Sequence, residues 1–166
     1  MNDVNKKVKL SNKIYPYLVG MSDDLLFWAA INTIFLTTVK LFSASQISLL
    51  SAISSLVAIL SQNIVLKIIK KIGNLKSVRL GLIMLFVSSI IITFGTSFIT
   101  IAIGEILYHI AFLFKGMDSV ILKRNLKYLN DEDSFIEIQS QSSMIYAILT
   151  MIISFVAGFI FNINNY

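Results

Sequence analysis

Residues 80–114 read LGLIMLFVSSIIITFGTSFITIAIGEILYHIAFLF. Across this run the sequence places one formal charge, Glu105, and one neutral titratable side chain, His109. Water-soluble domains do not carry such a stretch, so it belongs in lipid. As one helix it would be about 50 Å long, against about 30 Å of hydrocarbon core, and it must therefore fold back on itself. Gly95-Thr96-Ser97 is the natural break. The run thus makes two antiparallel spans joined by a very short, uncharged turn.

The rest of the chain has the same character. Of its 166 residues 56% are hydrophobic and 14% charged, whereas an average globular domain is about 25% charged. The absence of cysteine excludes disulfides, thiolate metal sites and cysteine nucleophiles. With a single histidine, no metal site is expected. No Walker loop, nucleophile elbow or His-Glu metal motif occurs, so neither an enzyme nor a bound cofactor is expected. The net charge of +5 sits beside apolar segments, where it reads as an insertion signal rather than a nucleic-acid surface.

Hydropathy predicts an all-α, polytopic membrane bundle of five helices: 19–41, 44–69, 78–95, 98–114 and 142–163. Lipid offers no partners for backbone N–H and C=O groups, which demands helices, and the runs lack the alternation of a β-barrel. The first apolar segment is too long for a signal-peptide core and reads as a retained span. No linker-like stretch divides the chain, which is expected to form one domain over residues 1–166.

Orientation follows from charge. Lys6, Lys7, Lys9 and Lys13 precede the first span; Lys67, Lys70, Lys71, Lys76 and Arg79 lie near the second connection; Lys115, Lys123, Arg124 and Lys127 lie between the fourth and fifth spans. Only Lys40 falls on the other side. This asymmetry predicts a multi-pass protein of the plasma membrane with a cytoplasmic N-terminus and, after five spans, an external C-terminus.

A few residues are costly to place in lipid. Asp23 and Asp24 open the first span, either as caps after Ser22 or lining a cavity, and Trp28 and Asn32 continue the Asp24 face inward. Glu105 and His109, one helical turn apart, share a face beside Tyr108. A low dielectric changes how tightly a carboxylate and an imidazole hold protons, as a proton-coupled carrier requires, while a structural hydrogen-bonded pair is the alternative. Asp24, Asn32, Glu105 and His109 are thus the candidate solute or proton pathway. On the second span Ser48, Ser51, Ser55, Ala58 and Gln62 form a stripe read as helix packing. Residues 116–141 form the longest polar connection; in it Val120, Ile121, Leu126 and Leu129 interleaved with Lys123, Arg124 and Lys127 read as a helical extension at the cytoplasmic interface, and Asp131-Glu132-Asp133 as a solvated turn.

Lys70-Lys71-Ile72-Gly73-Asn74-Leu75-Lys76 resembles the loop motif between spans two and three of the major facilitator superfamily, roughly Gly-x-x-x-Asp-Arg-x-Gly-Arg-Lys. Lys71 and Gly73 match its basic residue and central glycine; Lys70 stands where aspartate is usual and Asn74 where a basic residue is usual. Ser43-Ala44-Ser45-Gln46-Ile47 looks like the family's entry into the second span. Phe114-Lys115-Gly116-Met117-Asp118-Ser119, with Asn125-Leu126-Lys127-Tyr128-Leu129 beyond it, is similar to the end of the fourth span in bacterial efflux-type members. Nearly the whole chain is covered, but only spans one to five of an expected twelve. The resemblance implies an incomplete N-terminal half-bundle whose first and fourth spans line a cavity. It implies transport of a small solute by alternating access, inactive without a C-terminal half or self-association. Gly104-Glu105 stands where drug/proton antiporters carry arginine, and Ala157-Gly158 lacks the proline of their fifth span, so antiport, symport and uniport remain open. The alternative from another class is a membrane scaffold that binds other helices through its second span.

Overall fold

The structure is a computed structural model and describes residues 3–164. Among them no strand occurs; the elements are seven α-helices and one π-helical turn. They are α1 (Asp3–Ser22), α2 (Leu26–Ile34), the π turn (Phe35–Val39), α3 (Ala44–Ile72), α4 (Asn74–Phe94), α5 (Phe98–Lys115), α6 (Met117–Leu129) and α7 (Ser134–Asn164). Four stretches are long and apolar enough to cross a membrane: Ala44–Ile72, Asn74–Phe94, Phe98–Leu129 and Ser134–Ile160. The chain divides into two compact units, one formed by residues 33–121 and the other by 3–32 with 122–164.

In the unit of residues 33–121, local chemistry fixes each boundary. Ser43 caps α3: its hydroxyl accepts from Gln46 N–H while the Gln46 side chain accepts from Ser43 N–H, so two orphan donors are met reciprocally. Ser97 caps α5 by accepting from Thr100 N–H at 3.2 Å. The turn between α4 and α5 falls at Gly95–Ser97, where the sequence predicts it. The connection between α3 and α4 is shorter than predicted. Residues 70–77 are expected to form a basic loop, but both helices continue through it and only Gly73 is non-helical, at φ 84° and ψ 159°. A side chain is strained in that backbone region, and glycine is not.

Small residues let α4 and α5 approach closely. A Cβ on Gly81 would lie 2.7 Å from Lys115 N and 2.8 Å from the Ala111 carbonyl, and one on Gly104 would lie 2.7 Å from Ile92 Cγ1. In lipid, where apolar burial drives little, such contact is the main source of helix association. Against this pair α3 buries Leu50, Ser54, Ala58, Val65 and Ile69, the last two clustering with Phe114. Of the predicted packing stripe only Ala58 lies on this buried face; Ser48, Ser51, Ser55 and Gln62 are exposed within the chain.

In the other unit the predicted first span, 19–41, is laid out differently. The helix begins at Asp3, stops at Ser22, and resumes at Leu26 after a break at residues 23–25. Hydropathy finds lipid-compatible residues rather than helix starts. The lysine-rich N-terminal segment is helical in its own right, helped by an Asp3–Lys7 pair at 2.8 Å. Helix α1 packs on α7 through Gly20, where a Cβ would lie 2.8 Å from the Ser142 carbonyl and from Ile145 Cβ.

Candidate functional site

Helix α5 presents one buried face made of Ile101, Gly104, Glu105, Tyr108, Ala111, Phe114 and Lys115. Glu105 is on it because Gly104, one residue earlier, removes the side chain that would hold α5 away from α4. The Glu105 side chain is 7% exposed and that of His109, one turn on, is 34% exposed, with His109 Nε2 4.0 Å from Glu105 Oε2. The contact is an ion pair when the imidazole is protonated. The Tyr108 ring meets His109 edge-on at 5.4 Å between centroids and Phe112 at 4.9 Å, which encloses the pair on an aromatic side. The pair joins a buried carboxylate to a partly buried imidazole on one helix face. Glu105 and His109 are thus brought together as predicted from their spacing.

Asp24 and Asn32 lie in the other unit. Asp24 is in the break between α1 and α2, where its carboxylate accepts from Leu25 N–H at 2.6 Å. Tyr146 of α7 sits against Asp24 and Thr150. The sequence reading missed these α7 hydroxyls. Their i, i+4 spacing inside an apolar helix was the available signal. Asn32 is partly buried in α2 and its Oδ1 has no hydrogen-bond partner.

The motif residues sit at helix termini. Lys70 and Lys71 occupy the last turn of α3, where cations favour the carbonyl-rich end. Gly73 forms the one-residue hinge, and its carbonyl accepts from the Ser77 amide at 3.0 Å and the Ser77 hydroxyl at 2.9 Å. Lys76 is exposed in the first turn of α4.

Lys40, the one basic residue set apart by the sequence reading, caps a helix. Its Nζ donates to the Thr93 carbonyl at 2.7 Å and the Gly95 carbonyl at 2.8 Å, and lies 5.0 Å from the Phe35 ring centroid. It therefore satisfies the C-terminal end of α4. Lys115 is buried and sits 3.6 Å from Asp118.

No group of three or more metal-ligating side chains occurs among the described residues. Comparison of the chain with protein families, with characterised proteins and with solved structures finds no match in any of the three.

Proposed function

We propose that this chain is the N-terminal part of a major-facilitator-type secondary transporter that moves a small organic solute across the plasma membrane by alternating access. Its N-terminus faces the cytoplasm, and residues 19–41 supply a fifth crossing beside the four long apolar helices. The observation that carries this reading is the Glu105–His109 pair, a carboxylate and an imidazole 4.0 Å apart within a helix that carries no other formal charge from Phe98 to Phe114. Such groups are costly in lipid and mark ion or substrate paths. Asp24 and Asn32 are the corresponding polar positions in the first span.

The test is flux in proteoliposomes under an imposed pH gradient, with the fluorescent cation ethidium as probe. The chain is reconstituted alone and together with any C-terminal half encoded beside it. Flux is expected only with the second half present, because alternating access needs two halves rocking about a shared site. Glu105→Gln mimics the protonated acid and is expected to keep the fold while abolishing dependence on the gradient. Unchanged dependence would remove Glu105 from coupling.

One observation favours a second reading. The Ser48, Ser51 and Ser55 face of α3 is open within the chain, and small hydroxyl residues are common where membrane helices meet. A scaffold that binds other spans through α3 would show crosslinks from Ser51→Cys to a partner helix and no solute flux in any combination.

A further inference from the structure

Helix α3 has 29 residues, which makes it about 44 Å long, against about 40–45 Å for a bilayer with both headgroup layers. About 20 residues cross the hydrocarbon. Counted from Ala44 they end near Asn63, so the last turns of α3 run through the headgroup layer and not beyond it. One stripe of the helix, its members one turn apart, is exposed along this length: Leu56, Leu60, Asn63, Lys67, then Lys70 with Lys71. Val65 and Ile69, on the other side, are buried with Phe114. From depth to surface the stripe changes from hydrocarbon to carboxamide to ammonium, matching the order in which a phospholipid presents acyl chain, ester and phosphate. Beyond the one-residue connection at Gly73, α4 repeats the pattern with Lys76 and Arg79, then Ile83 and Phe86, all exposed.

This basic end lacks acids. From Leu25 to Gly104 the sequence holds no Asp or Glu, and none of Lys67, Lys70, Lys71, Lys76 and Arg79 forms an ion pair among the described residues. Basic residues elsewhere are matched: Lys7 pairs with Asp3, Lys115 with Asp118, and Lys123, Arg124 and Lys127 are followed by Asp131-Glu132-Asp133. Membrane insertion reads lysine and arginine and is little affected by acids, so it does not explain why acids are missing at this end alone. We propose that the joined ends of α3 and α4 bind an anionic phospholipid. Lys67, Lys70 and Lys71 donate to its phosphate oxygens, with Lys76 and Arg79 adding to the positive field, and such charge-assisted bonds are among the strongest available. The Asn63 amide reaches the ester oxygens, and the acyl chains lie along Leu60 and Leu56. A zwitterionic lipid brings a cation of its own, which finds no carboxylate here. The leaflet follows from the orientation proposed above; the choice of lipid does not depend on it, nor on transport.

The experiment uses the purified full chain in detergent micelles doped with equal amounts of phosphatidylglycerol, phosphatidylcholine and phosphatidylethanolamine. Lipid retained per protein after detergent exchange is counted by mass spectrometry. Phosphatidylglycerol is expected to be retained about tenfold over the other two, the scale of one to two cations at an anionic surface. Lys70→Gln combined with Lys71→Gln is expected to bring it down to their level at unchanged helicity, because glutamine is a good helix former. Lys123→Gln combined with Arg124→Gln removes the same net charge elsewhere and is expected to keep the preference. Asn63→Leu is expected to lower phosphatidylglycerol retention about threefold, as loss of one hydrogen bond would. The proposal would be overturned by equal retention of the three lipids, by wild-type retention in either the Lys70 and Lys71 variant or Asn63→Leu, or by equal losses in the two double variants, which would mark a diffuse charge effect. Displacement of the lipid by millimolar glycerol phosphate would also overturn it, in favour of a site for a soluble phosphate ester.

Discussion

Polar side chains are buried in both units, but they are satisfied in different ways. In the unit of residues 33–121 the buried serines bond back to their own helices: Ser54 to the Leu50 carbonyl, Ser77 to Gly73 and Ser88 to Leu85. Such a hydroxyl needs no partner helix and takes little room, so it permits close approach without specifying a neighbour. In the unit of residues 3–32 and 122–164 the buried amides reach between helices, as Asn125 does to Asn12, and leave Asn12 Nδ2 and Asn32 Oδ1 unmet. Ser142, bonded back to Ile138, is the exception there. The buried serines of the first unit have their hydroxyl protons committed within their own helices. The second retains unmet capacity at two buried amide atoms.

The largest expected effect tests the close-packed half of this contrast. Gly81→Val pushes a side chain onto the backbone of α5 at Lys115 and Ala111, which cannot rotate away, and is expected to cost about 3 kcal/mol. Gly158 has open space around its Cβ position, so Gly158→Val should leave thermal melting in detergent unchanged. Equal melting losses for the two variants would mean that α4 and α5 are not held by close contact. Next in size is Lys40→Met, which removes two charged hydrogen bonds and a ring contact from the end of α4 and is expected to cost about 2 kcal/mol. Retained thermal stability in that variant would return Lys40 to a mere exception in the charge pattern.

A third pair addresses the unmet groups directly. Asn32→Leu removes a carbonyl oxygen without a partner while keeping the branching and heavy-atom count, and is expected to raise stability by about 1 kcal/mol. Ser88→Ala, removing a hydroxyl that serves only its own helix, is expected to change stability by under about 0.5 kcal/mol. If Asn32 also lines the proposed solute path, the stabilised variant should lose flux in the reconstituted system. A destabilised Asn32→Leu would show that its amide has a structural partner and would remove the contrast.

The parts of this architecture legible in sequence were those decided within a few residues. The Gly95–Ser97 turn, the start of α3 at Ala44 and the Glu105–His109 juxtaposition all arise from local chemistry, and each lies where the residues indicate. The buried face of α3 was not legible. Leu50 and Ser54 lie on one side and Ser51 and Ser55 on the other, both tolerable in lipid, so only the position of α4 and α5 decides between them. Nor could sequence pair Asp24 with Tyr146 or Asn12 with Asn125, because those contacts join helices more than a hundred residues apart. The helix boundaries around the first span were missed for a different reason: hydropathy locates lipid-compatible residues, whereas α1 begins at Asp3 and its first half is charged.

The smallest effect concerns two residues in the left-handed backbone region, one in each unit. Asn130 ends α6 at φ 53°, with Asp131 N–H bonded to the Leu126 carbonyl at 3.0 Å. Asparagine tolerates that conformation well. Leu41 occupies the same region at φ 57° after the π turn, where Phe42 N–H reaches the Leu36 carbonyl at 2.9 Å, and its side chain is 81% exposed. Leucine pays about 1 kcal/mol for that backbone, and so exposed a side chain has little packing to lose. Leu41→Asn is therefore expected to raise stability by somewhat under about 1 kcal/mol, and Asn130→Leu to lower it by a similar amount. The pair is read by chemical denaturation in mixed micelles. A loss at Leu41→Asn would show that the leucine is held by lipid or by a neighbouring helix, making the end of the π turn a contact surface rather than a strained corner.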